Sequence, residues 1–484
     1  MSDEPFGFGP PPGEDDEPGR EKGRDRSGEP EPVGGEPERA GGVPDPFAAL
    51  FGGAPGLPFG GQLDPAAIGA AFHRLGELMA WQGGPVNWDL ARDVARQAVA
   101  GGGPAGSGGA AGAGRTDRSP GAAERAAVTD AVRLGELWLD DATSLPAGTT
   151  GAVAWSRAEW VEGTLPAWRE VVDPVASKVV DAMGSAMTGN VPEEMRAQVQ
   201  AMAGPLQQMM RSMGGAMFGA QVGQALGTLA GEVVSSTDVG LPMAPTGGAV
   251  LVPANVTAFG AGLGVPEDQV RLYLALREAA HHRLYGHVPW LRGRVRAALE
   301  DYARGIAVDT DRIEEQLSGI DPSNPQALQE ALSSGILTPR NTPEQDVALR
   351  RLETLLALVE GWVDEVVDTA AAPRLPSAGA LRETVRRRRA AGGPAEQTFA
   401  ALVGLELRPR RLREAAALWH RLTEARGVEG RDAVWAHPDL LPTAEDLDDP
   451  EAFVSRAGGP LDLSGLDDLA APPKEGDPPE RGEG

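Results

Sequence analysis

The spacing of apolar positions changes several times along this chain, and each change marks a different kind of segment. Residues 1–44 show no apolar period and are rich in Pro, Gly, Glu and Asp. Such a segment has too little to bury to offset the entropy of ordering, so it is expected to be disordered. Apolar residues first recur at Phe47, Leu50 and Phe51. Helical spacing then predicts a helix over 64–82, opened by Asp64 and Pro65, and another over 88–100, capped by Asn87. The stretch GGGPAGSGGAAGAGRTDRSPGA, 101–122, reads as a flexible linker. From 123 onward the helical period returns. Ser156 and Glu159 have capping-box spacing ahead of Trp160 and Trp168, and Met-rich helical stretches cover 192–234. A long helix is predicted from Pro266 to Tyr285. Others follow at 291–304, 344–371, 378–390, 394–404 and 409–425. The best strand candidate is GGAVLVPANVTAF, 247–259, which Pro253 would confine to an edge or interrupt. After 455 the chain is again rich in Asp, Pro and Gly.

The expected architecture is therefore mainly α with a small β component. It has disordered acidic tails at 1–44 and 456–484, an N-terminal helical segment at 45–100, the linker at 101–122 and a helical domain at 123–455.

The run Ser212–Gly231 has no charge and places Gly215, Gly219, Gly223, Gly227 and Gly231 at every fourth position. Repeated GxxxG in an apolar segment can mark a transmembrane pair. This run is poor in Leu, Ile and Val and contains Ser212, Gln221, Gln224 and Thr228, so a buried helix with a glycine stripe is expected rather than a membrane span.

Charge and composition narrow the chemistry. The net charge is −26 and Cys is absent, which excludes disulfides, thiolate metal sites and a cysteine nucleophile. A metal site would have to use Asp, Glu or one of six His. An acidic chain repels phosphate backbones, so no nucleic-acid partner is expected. The run Arg386–Arg389 lacks interleaved aromatics and is expected to be a solvated helix end. The opening residues MSDEPFGFGPPPGEDDEPG lack the basic and apolar regions of a signal peptide, so a cytoplasmic location is expected. No P-loop, no dinucleotide-binding glycine motif after a strand and no GxSxG elbow is present.

The chemical signal lies in VPEDQVRLYLALREAAHHRLYGHVPW, 265–290. At 100° per residue, Val270, Tyr273, Leu274, Leu284 and Tyr285 form one apolar stripe, with Arg277 and His281 in its middle and Glu278 at its edge. His282 and His287 point elsewhere and are expected at solvent or at the helix end. A charge on a buried stripe needs a partner. Arg277, Glu278 and His281 occupy the positions of HExxH, with Arg in place of the first His. In that motif two His at i and i+4 bind Zn²⁺ and the Glu reaches the metal-bound water as general base. A second helix, EQDVALRRLETLLALVEGWVDEVV (344–367), carries Glu353, Glu360 and Asp364 on its apolar face. Acids so placed imply a metal or an arginine opposite.

Several stretches together resemble an actinobacterial family of zinc-dependent metalloproteases with a zincin-like fold. Its wider relatives are associated with biosynthesis of a deazaflavin coenzyme. These stretches are PVNWDLAR (85–92), LVPANV (251–256), LALREAAHHRLYGHVPWLR (274–292), LETLLALVEGWVD (352–364), RRRRAAGGPAEQTFAALVGLELRPRRLREAA (386–416) and HPDLLPTAEDLDDP (437–450). The resemblance spans about 45–455. It implies a zincin-like core, a zinc cofactor and a peptide or protein substrate, with Glu278 as general base and His281 and Glu360 as zinc ligands. The first ligand does not carry over, because Arg277 has no lone pair to offer and brings an opposing charge. Two functions are expected from this departure. One is a zinc hydrolase with a degenerate motif, its missing ligand supplied by His282, His287 or His437. The other is a catalytically inactive scaffold acting through protein interaction, with Arg277 paired to Glu360, Glu353 or Asp364. His73 and His420 have no ligand spacing.

Overall fold

The computed structural model describes residues 81, 83–101, 117–189, 212, 214–245, 247–304, 342–391, 398 and 411–456. The chain divides into two units, Met1–Val43 and Pro44–Gly484, and every described residue belongs to the second. The expected tails, nearly all of the 64–82 helix with His73, the linker up to 116, the first part of the Met-rich stretch and the 394–404 helix, apart from Thr398, lie outside the described residues.

Helix α1 (Trp88–Gly101) begins where Asn87 Oδ1 accepts the Leu90 N–H at 3.1 Å, the predicted cap. Helix α2 (Ala122–Leu139) is followed by strand β1 (Gly151–Ala154). Helix α3 (Arg157–Gly189) opens with the predicted capping box, the Ser156 and Glu159 side chains each taking the other's backbone N–H. Helix α4 covers 214–230. Next come strand β2 (Gly248–Leu251), α5 (Pro253–Gly260), α6 (Glu267–His287) and α7 (Pro289–Arg304). Helix α8 (Pro343–Ala371) starts at a Thr342–Gln345 capping box, and α9 (Ala378–Ala390) and α10 (Leu412–Asp432) follow. Two short helices, α11 (Ala444–Asp448) and α12 (Pro450–Arg456), close the described chain.

The fold is mainly helical with a small sheet, as the periodicity implied. The expected 247–259 strand is cut at Leu251. The interruption expected at Pro253 takes the form of a helix start. Pro253 takes the first position of α5, where its fixed φ suits a helix and its missing N–H costs nothing. The partner β1 is only four residues long, too short for its alternation to register as a pattern. The two strands run parallel, with Gly151 opposite Gly248 and Ala154 opposite Leu251.

The uncharged glycine run forms the described helix α4, and its stripe receives α1. A Cβ on Gly219 would lie 2.4 Å from the Asn87 carbonyl oxygen, and one on Gly223 would lie 2.5 Å from that of Ala91. The glycines therefore exist for close backbone approach. Among the described residues no helix is long and apolar enough to cross a membrane.

Helix α6 runs through the middle of the domain, against α2, α8, α5 and β2. Gly148 and Gly135 let neighbouring backbone reach it closely. From Tyr273 to Tyr285 every residue of α6 is buried. A helix enclosed on all sides has no solvent face, so each of its charged groups must find a partner inside the protein.

Candidate active site

The central turns of α6 and α8 face each other, and the polar residues predicted at their interface divide into two clusters. In the first, Arg277 Nη2 donates to Glu360 Oε2 at 2.7 Å, and its Nη1 stands 4.0 Å from Asp364. His281 Nε2 lies 3.0 Å from Glu360 Oε1. His281 Nδ1 lies 2.8 Å from the Arg277 carbonyl oxygen. Both ring nitrogens face oxygen atoms, so whichever nitrogen carries the proton donates to one of them.

A further member comes from α9. Arg389 Nη2 reaches Glu360 Oε1 at 2.9 Å. Arg386 and Arg382 bind Asp364 Oδ2, at 2.5 Å and 2.8 Å, and Arg388 binds Asp238 at 2.9 Å. The expectation of a solvated arginine run is thus corrected. Only Arg387, paired with Glu383, is strongly exposed. Arg386 and Arg389 turn inward because α9 folds back beside the buried acids of α8, and Arg388 turns to Asp238.

Burial opposes charge on Glu360, but Arg389, His281 and Arg277 outweigh it and hold the carboxyl well below its usual range. Arg277 is held charged in the same way, with Glu360 the main opposing influence to burial.

The second cluster belongs to Glu278, which is 0% exposed. The sequence expectation has this carboxylate turned toward a bound water. In the structure its Oε1 accepts from Ser236 Oγ and from the Val250 N–H at 3.0 Å. Its Oε2 accepts from the Thr237 N–H at 3.1 Å and from Thr237 Oγ1. His282 Nε2 stands 3.3 Å from Oε1. Burial would raise this acid, but His282 and the Ser236 and Thr237 donors outweigh it and bring Glu278 down to about 2. His282 is correspondingly buried rather than at solvent, because α6 has no solvent face at that turn. The Ser-Thr pair at 236–237 carries no spacing signal, so its role was not visible in the sequence.

The remaining histidines lie elsewhere. His287 is exposed at the end of α6, near the Ala147 carbonyl. His437 is exposed and pairs with Asp439. His420 bonds Glu365. Glu353 is half-buried on α8.

Zinc needs about three protein ligands and an open position. Here His281 Nε2 and Glu360 Oε1 converge, but the third corner is filled by the Arg277 guanidinium and a second guanidinium touches the same Glu360 oxygen. Among the described residues no group of three or more His, Asp or Glu is arranged to hold a metal ion. The residues present do not fit zinc. The space beside them, lined by Asp238, Arg277, His281 and Arg389, is about 10 Å³, room for one water.

No curated protein matches the sequence. Among solved structures the chain is similar to a proposed hydrolase with a novel fold from Chloroflexus aurantiacus. The TM-score is 0.51 at 20% identity, covering 77% of this chain and 98% of that one. At that identity the likeness is one of fold. The profile of zincin-like metallopeptidases matches residues 86–454, a span that includes β2, the Arg277–His281 turn of α6 and Glu360 of α8. By that match over most of its length, this chain is a member of the zincin-like metallopeptidase family.

Proposed function

We propose that this chain is a zincin-like protein in which an internal guanidinium has taken the place of the catalytic metal, leaving a scaffold that binds rather than hydrolyses. One observation carries the proposal: both oxygens of Glu360 are already engaged, by Arg277 on one side and by His281 and Arg389 on the other. The cluster is closed electrostatically, and Glu278 is committed to four donors and a histidine instead of facing it.

A zinc-dependent peptidase is the second reading. Family membership favours it, and so does the approach of His281 Nε2 to Glu360 Oε1 at 3.0 Å, as two ligands of one ion would stand.

Elemental analysis of the purified full chain, beside a peptide-cleavage assay, separates the two. The scaffold proposal expects far less than one zinc per chain and no cleavage. It also expects Arg277→His to raise zinc affinity at least tenfold, because an opposing charge becomes a ligand. Near-stoichiometric zinc in the wild type, with cleavage lost in Glu278→Gln, would overturn it in favour of the peptidase.

A further inference from the structure

A separate cavity lies at the C-terminal ends of β1 and β2, where the chain leaves each strand for a helix. Its volume is about 230 Å³, and Arg118, Glu124, Trp155, Arg157, Pro253 and Thr257 are among its walls. Two of these walls are held from behind. Asn255 is 2% exposed, and its amide nitrogen donates to the Ala230 and Val233 carbonyls at 2.9 Å and 2.6 Å. Its Oδ1 is thereby aimed at Arg157 Nε, which donates to it at 2.8 Å. A guanidinium anchored through Nε keeps its Nη1–Nη2 edge free, and that edge is the fork that pairs with a carboxylate. The Trp155 ring lies against α3 at Gly163, where a Cβ would come within 2.3 Å of the ring. Glycine at that position lets the indole lie flat on the helix.

The charges in the cavity are unequally satisfied. Arg118 and Glu124 form a bidentate pair, both bonds at 2.7 Å. Asp117 accepts the backbone N–H groups of Arg157 and Ala158 at 3.2 Å and 2.9 Å. Arg157 has no ion-pair partner among the described residues. The Arg157 guanidinium is therefore fixed in place and open to the cavity with no acid within ion-pair distance, two residues from an aromatic ring in the same wall, while the Asp117 carboxylate there is turned to the backbone N–H groups that open α3. That combination recognises an anion attached to a flat apolar group.

We propose that this cavity binds a small planar carboxylate, its anion on the Nη edge of Arg157 and its ring against Trp155. The site shares no lining residue with the α6–α8–α9 cluster and does not depend on whether that cluster holds a metal.

The test is calorimetric titration of the full chain with benzoate as the probe and benzamide as its neutral match. Benzoate is expected to saturate one site per chain, with benzamide at least tenfold weaker. Arg157→Gln and Trp155→Leu should each weaken benzoate at least tenfold, and Gly163→Val should weaken it by displacing the ring. Thermal melts followed by circular dichroism check that each variant folds. Should Arg157→Gln fail to fold, Arg157→Lys keeps the charge but not the fork, and the same tenfold loss is expected. Benzoate failing to bind the wild type, benzamide binding equally well, or Arg157→Gln binding unchanged would each overturn the proposal. So would benzoate binding that disappears in Arg277→Met and survives in Arg157→Gln, since the anion would then sit on the α6 cluster.

Discussion

Two buried carboxylates flank helix α6, and they are held by opposite kinds of partner. Glu360, arriving from α8, is held by two guanidinium groups, those of Arg277 and Arg389, and by the His281 ring. Glu278, on α6 itself, sits mostly among neutral donors from the 236–237 turn and from β2, with the His282 ring beside them. The difference is one of replaceability. A cluster balanced by several cations can lose one and redistribute its hydrogen bonds. A cage of neutral donors converging on a single acid cannot, because removing the acid strands every donor at once.

The largest effect is therefore expected at Glu278. Glu278→Leu should lower stability by about 4 kcal/mol or more, since two backbone N–H groups and two hydroxyls lose their acceptor. Glu278→Gln keeps one acceptor oxygen and should cost about half as much. Urea unfolding curves measure both, and a loss below about 1 kcal/mol for the leucine variant would show that the cage holds nothing together.

Acid titration should expose the same acid next. Its folded pKa of about 2 lies below the ordinary 4.5, so its contribution is fully present above about pH 4.5 and is lost as pH falls toward 2. That contribution amounts to about 3 kcal/mol. Glu360 is also depressed and works in the same direction. Urea midpoints between pH 7 and pH 3 should fall for the wild type and fall less in Glu278→Gln. Equal slopes would assign the acid sensitivity to the other depressed acids, Glu360 and Asp432 among them.

Arg277→Met should cost less, about 2 kcal/mol, because Arg389 still neutralises Glu360 and His281 still hydrogen-bonds it. A loss exceeding that of Glu278→Leu would reverse the comparison. The smallest effect is expected at the seam of α1 and α4. There Gly223→Ala forces a backbone carbonyl aside and should cost about 1–2 kcal/mol, read from the same unfolding curves.

Local chemistry made much of the architecture legible. Asn87, Ser156 and Glu159 cap the helices they were expected to cap, because capping depends on residues within one turn. The apolar stripes of α6 and α8 pointed at each other, and Arg277, His281 and Glu360 meet where those stripes meet. The charge on each stripe demanded a partner, and helical spacing confined the choice. Strand β1, the helical turn at Pro253 and the inward path of Arg386, Arg388 and Arg389 were not legible. Each depends on a neighbour distant in sequence: β2 for the strand, and the acids of α8 and the 238 loop for the arginines.

The sequence by itself determined most of the long helices, where several of them start, and that Arg stands where HExxH has its first His. It also determined that Glu360 and Arg277 would be buried charges, since apolar neighbours at helical spacing leave no other place for them. Only the tertiary structure decided how those charges are shared. Arg389 reaches Glu360 because α9 folds back along α8, and Glu278 turns to β2 because Ser236, Thr237 and Val250 present donors there. The physical reason is that a helical period specifies a face but not what is packed against it, while a buried charge is satisfied by whichever donor the packing brings within hydrogen-bond reach.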